Sequence, residues 1–220
     1  MARIAEDLLL LLLDNASAQP GLDRSRRDRV LTAAALLDLA HACRIRPAVD
    51  SEAVEPGLLI VLSGPDLDDP VLAPALQLLL RRPISPANAI AKLKRDTPTA
   101  VFNQLERKGH LKQVRLQTKG FKHPYAWPLT DRRRVAQARA ALTAALFNQQ
   151  CPDPATATII SLLYTVNGLG AILSLDQRGW EWVRDRAGDI ASGSWVSGSE
   201  PELAEVNLAV TIAALRHALS

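Results

Sequence analysis

Six consecutive leucines, Leu8 to Leu13, sit between Glu6-Asp7 and Asp14. In a helix from about Ala2 to Leu13 they would place apolar side chains on every face, so the helix must be surrounded by other elements. The stretch Arg26 to Ala42 is nearly continuous in Leu and Ala and needs neighbours on both sides as well. Only 4% of the residues are aromatic, which leaves Leu, Ala, Val and Ile to build the core and favours packed helices over a sheet sandwich. A mainly α fold follows, with roughly nine helices and two hairpins in a single domain over residues 1–220. The leucine run is far short of the roughly twenty residues a membrane span needs, so no transmembrane helix is expected. Ala16-Ser17-Ala18 resembles a cleavage site, yet the acids ahead of a short apolar run argue against a secretory signal.

Start and stop signals divide the rest. Ser25 with Asp28 predicts a capping-box start to the second helix. Ile45 to Val49 and Leu58 to Leu62 predict a short strand pair around an acidic turn. Helices are expected from Asp69-Pro70 to Arg82, from Ser85-Pro86 to Arg95, and from Thr97-Pro98 to Lys108, the last stopped by Gly109. Further helices are expected from Thr130-Asp131 to Asn148, from Asp153-Pro154 to Val166, and from Asp176 to Ser192. The closing one, Glu202 to Leu219, carries Leu203, Val206, Val210, Ala213 and Leu215 near one stripe. Cys43 and Cys151 have no metal-ligand spacing and read as reduced core residues of a cytosolic protein.

Charge is placed unevenly within a net of +3. Asp50 to Asp69 holds six acids and no Lys or Arg, while basic residues gather at Arg24 to Arg46, Arg81 to Arg95 and Arg107 to Arg134. Arg107 to Thr130 has six Lys/Arg, three aromatics and no acid; its alternation around Lys119-Gly120 predicts an exposed β-hairpin. Lys119, Phe121, Lys122, Tyr125 and Trp127 give it the amphipathic mixture expected at a membrane interface or an oligomer contact. At the start of the second helix Arg26, Arg27 and Arg29 lie where the macrodipole is positive, and a bound phosphate would collect both the free N–H groups and the arginines. Arg27 and Arg29 are expected to be exposed.

No catalytic constellation is present. The four histidines fall in four different elements, and neither a calcium loop, a dinucleotide fingerprint nor a nucleophile elbow is complete. An enzyme is not expected, nor a metal or cofactor. A second reading concerns residues 86–130 as a winged helix-turn-helix that binds DNA, with Asn103, Gln104 and Arg107 facing bases and the hairpin on phosphates.

Over nearly its whole length the chain resembles the Golgi phosphoprotein 3 family, in particular its bacterial, actinobacterial-type members. The resemblance rests on the order and spacing of Glu6 to Asp14, Cys43-Arg44-Ile45, Ser63-Gly64-Pro65, Lys108 to Leu111, Tyr125 to Asp131, Thr158 to Val166, Asp185 to Trp195 and Glu205 to Leu215. It implies a helical bundle ringed by amphipathic helices with a projecting hairpin. For function it implies a cytoplasmic, peripherally membrane-associated protein that binds anionic phospholipid, phosphoinositide-like head groups. Protein cargo and a homo-oligomer joined through the hairpin are the further partners; nucleic acid belongs to the second reading. The family's head-group pocket uses a Trp in the loop before the second helix, an Arg within that helix and a pair of Arg on the helix before the hairpin. Here Asn15 to Ser25 contains no aromatic residue, Thr32 stands at the helix position, and Pro98 and Ala100 stand at the pair. The nearest cations are Arg29, Lys94 and Arg95, which with Arg26 and Arg27 form the expected phosphate-binding set.

Overall fold

The structure, a computed structural model, describes residues 3–116, 125–196 and 202–219. Helix α1 (Arg3–Leu13) is buried from Ile4 to Leu13, as an all-round apolar helix must be. Helix α2 (Arg24–His41) starts two residues earlier than expected: its N-cap is Asp23, whose carboxylate accepts the Arg26 N–H, and Ser25 takes no part. From Val30 to Ala40 it too is wholly buried. Strands β1 (Ile45–Pro47) and β2 (Leu59–Val61) pair antiparallel with Ile45 opposite Val61. The acidic turn between them is closed by Arg46, which donates to both Glu52 oxygens and holds that carboxyl down to about 2.

Helix α3 (Ala73–Arg81) begins later than Asp69-Pro70 predicted, because Asp69 closes a turn by accepting the Val71 N–H instead of capping the helix. Helix α4 (Pro86–Leu93) is capped by Ser85, and α5 (Thr97–Arg107) is followed by Gly109 at φ +71°, a left-handed stop that glycine adopts without strain. Strands β3 (Val114–Arg115) and β4 (Tyr125–Ala126) form the base of a hairpin. Helices α6 (Arg133–Phe147) and α7 (Pro154–Thr165) come next, then a 3-10 turn (Leu169–Ala171), α8 (Gln177–Ala191) and α9 (Leu203–Leu219). The protein is mainly α with two short antiparallel pairs among the described residues.

Helices α1, α2 and α7 form the centre. Helix α1 packs on α2, α5, α6 and α7, and α2 packs also on α4, α7 and α9. The outer helices are one-sided: α5 buries Val101 and Leu105, and α8 buries Val183, Ala187 and Ile190, spacings that leave the other faces to water. On α9 all of the expected stripe except Leu215 faces outward. Leu203, Val206, Val210 and Ala213 are exposed, while Leu208, Ile212, Leu215 and Leu219 are buried together with Asn207 and Thr211. Asn207 earns its burial by donating to the carbonyls of Ala40 and Ile45, at the end of α2 and on β1. The cysteines are not core residues either: Cys43 lies half-buried in a left-handed turn at φ +50° after α2, and Cys151 is exposed.

The acids that bracket the leucine run are tied down from outside. Glu6, 1% exposed, accepts from Lys108 at 2.6 Å and from Arg134 at 2.7 Å, and Asp7 accepts from the same Arg134 at 2.6 Å. At the other end Asp14 pairs with Arg139 at 2.9 Å. Part of the basic stretch Arg107 to Arg134 therefore neutralises α1 and does not face solvent as free charge.

Candidate anion-binding cleft

The loop between α1 and α2 is built on Asn15, whose side-chain amide donates to the carbonyls of Leu12 and Gln19. Gly21 closes it against the turn after α7, where an added Cβ would stand 2.8 Å from the Ala171 carbonyl oxygen. The loop has no aromatic residue of its own, but one arrives from elsewhere. Just past β4, Trp127 donates its backbone N–H to Ala18 at 2.7 Å, and its ring centroid lies 4.7 Å from that of Phe102 on α5. Held from both sides, Trp127 walls a cleft of about 350 Å³ whose other walls include Gln19, Pro20, Asp23, Arg24 and Arg27.

The arginines at the start of α2 divide by task. Arg24 extends into solvent with its side chain 87% exposed, 3.5 Å from Asp28. Arg27 lines the cleft but is only 17% exposed and donates through Nε and Nη2 to Asp28. Arg26 is paired with the N-cap Asp23 and reaches the carbonyls of Val166 and Asn167 beyond α7. Arg29 is half-buried and donates to Ala218 and Leu219, so it serves the negative end of α9. The expectation that Arg27 and Arg29 are exposed is thus corrected: both side chains are engaged in the fold. Hydrogen bonds from Arg26 hold the Asp23 carboxyl below the usual range, so the rim is a mixed one in which three guanidiniums meet two carboxylates.

Lys94 and Arg95 are exposed on the turn between α4 and α5, and the side chain of neither bonds to another described residue. They do not line the cleft. Of the hairpin set, Tyr125 is exposed, Trp127 is half-buried at the root, and Lys119, Phe121 and Lys122 lie outside the described residues. The cleft thus collects Arg27 and Trp127 from the expected residues and adds Arg24 and Gln19, which the sequence reading did not single out. Arg24 directly follows the true N-cap, and only recognition of Asp23 in that role would have marked it as first-turn. The meeting of Trp127 with the loop is a contact across more than a hundred positions and leaves no local trace.

Among the described residues no three His, Cys, Asp or Glu gather to hold a metal, and no helix is long and apolar enough to cross a membrane. No curated protein matches the chain. A family model does, that of Golgi phosphoprotein 3 (GPP34), over residues 4–206.

Proposed function

Because this chain belongs to the Golgi phosphoprotein 3 family, we propose that it associates peripherally with anionic membrane, taking a phosphoinositide-like phospholipid head group in the cleft at the start of α2. The observation that carries this reading is that Trp127 lines the same cleft as Arg24 and Arg27. An aromatic wall beside guanidiniums suits a phosphorylated ring: the guanidiniums take the phosphate oxygens and the indole packs the ring face. The hairpin, with Tyr125 exposed at its base, is the second contact, with membrane or with another subunit, and recruitment of protein cargo belongs to the same reading.

Vesicles of phosphatidylcholine alone, with phosphatidylserine, and with phosphatidylinositol 4-phosphate test it by co-sedimentation, beside a duplex DNA shift at the same salt. Binding to the anionic vesicles is expected, weakened at least about tenfold by Arg24→Glu, whose exposed side chain can be reversed without touching the core. Equal sedimentation of all three vesicles would overturn the reading. A shift of duplex only would transfer the function to α4, α5 and the hairpin. There, however, Glu106 shares a shallow depression with Asn103 and Arg107, and a phosphate would meet a carboxylate.

A further inference from the structure

On the far side of the α1–α2 loop a larger cavity, about 750 Å³, opens between the end of α7, the 3-10 turn, α8 and the last turns of α9. That volume suits a small organic ligand. Its walls carry two aromatic rings, Tyr164 and Trp180, and two basic side chains that reach it from different helices, Arg184 and His217. Arg216 is there as well, held by the Ala191 carbonyl at 2.6 Å. Among the described residues no carboxylate lines the cavity.

Two details make this more than a gap between helices. Gly170 brings bare backbone to the wall opposite Trp180, where even an added Cβ would keep 3.9 Å from the indole, and Gly188 leaves room for the Tyr164 hydroxyl, which a Cβ would approach to 3.2 Å. Both rings thus pack close to bare backbone within the cavity wall. Arg216 serves the end of α8, but Arg184 is not explained as a partner of a helix end. The terminal carbonyls beyond α7 and on α9 are already met by Arg26 and Arg29, reaching across from α2. Arg184, exposed on α8, lies 5.9 Å above the Trp180 ring and forms no ion pair among the described residues. The His217 Nδ1 donates to the Ala213 carbonyl, which fixes the ring on its own helix and leaves Nε2 for another partner.

We propose that this cavity binds a small aromatic anion, an aryl phosphate or aromatic carboxylate, with its ring packed on Trp180 and its acid group on Arg184 and His217. The site is separate from the cleft at the start of α2 and does not depend on lipid binding there.

Titration of the full chain with phenyl phosphate, read by calorimetry and by tryptophan fluorescence, tests the proposal. Saturable binding is expected, with inorganic phosphate and benzyl alcohol each much weaker because each lacks one half of the ligand. Arg184→Gln should weaken phenyl phosphate about tenfold. It should leave vesicle sedimentation unchanged, which separates failure here from failure of the membrane reading. Trp180→Leu, confirmed as folded by its thermal melt, should abolish the fluorescence change and weaken the calorimetric signal. Absence of saturation up to about 10 mM, affinity untouched by Arg184→Gln, or a fluorescence response to anionic vesicles but to no soluble anion would each overturn it.

Discussion

Asp38 shows how one side chain can set the pH response of this fold. It lies on α2 with only 5% exposure and accepts the backbone N–H groups of Ile4 and Ala5, at 2.9 and 3.0 Å, under the first turn of α1. Burial pushes its pKa up to about 8, and the two N–H donors offset only part of that. A carboxyl whose pKa is higher in the folded than in the unfolded chain favours folding while it is protonated. Its stabilisation is complete below the ordinary value of 3.8 and is lost as pH rises through about 8. The urea midpoint should accordingly fall between about pH 4 and about pH 8, and Asp38→Asn should flatten that slope. Parallel curves for the two proteins would show that the carboxyl does not titrate in this window.

Between elements, the buried contact of α1 with α5 and α6 deserves a test of its own. Arg134 serves Glu6 and Asp7 together, and burial raises the Asp7 carboxyl even against that guanidinium. Arg134→Met would leave Glu6 with Lys108 alone and Asp7 with only the exposed Arg3 at 3.8 Å, and a loss of about 3 kcal/mol in denaturant unfolding is expected. A loss below about 1 kcal/mol would mean that water reaches the acids and replaces the ion pair. Nothing around Glu6 announces this role, since its partners lie 102 and 128 positions away. Local sequence does carry the all-round burial of the leucine helix, the Pro-marked starts of α4, α5 and α7, and the base of the hairpin. On α9 two apolar stripes compete, and the buried one is interrupted by Asn207 and Thr211. The cleaner stripe looked like the core face because sequence cannot show that Asn207 finds two carbonyls inside. The candidate cleft was legible as a basic helix start and no further, because its aromatic wall comes from another part of the chain.

Among the described residues, a share of the cations is committed inside the fold. Arg46, Lys108, Arg134 and Arg139 are paired with acids, and Arg29, Arg44 and Arg186 hold backbone carbonyls. The exposed remainder near the start of α2 and the α4–α5 turn, at about 1 kcal/mol per cation near an anionic surface, gives modest attraction. Raising salt from about 0.1 to about 1 M shortens the screening length from about 10 to about 3 Å, and sedimentation with anionic vesicles should then largely disappear. Binding that survives the higher salt would place the main contact in apolar insertion of the hairpin. Trp127 ties these two contributions to each other, because the strand that carries the hairpin also supplies the wall of the cleft and is pinned to the neighbouring loop at Ala18. A tug on the hairpin is therefore a tug on the cleft, and under the proposed function docking and head-group capture would register as one event.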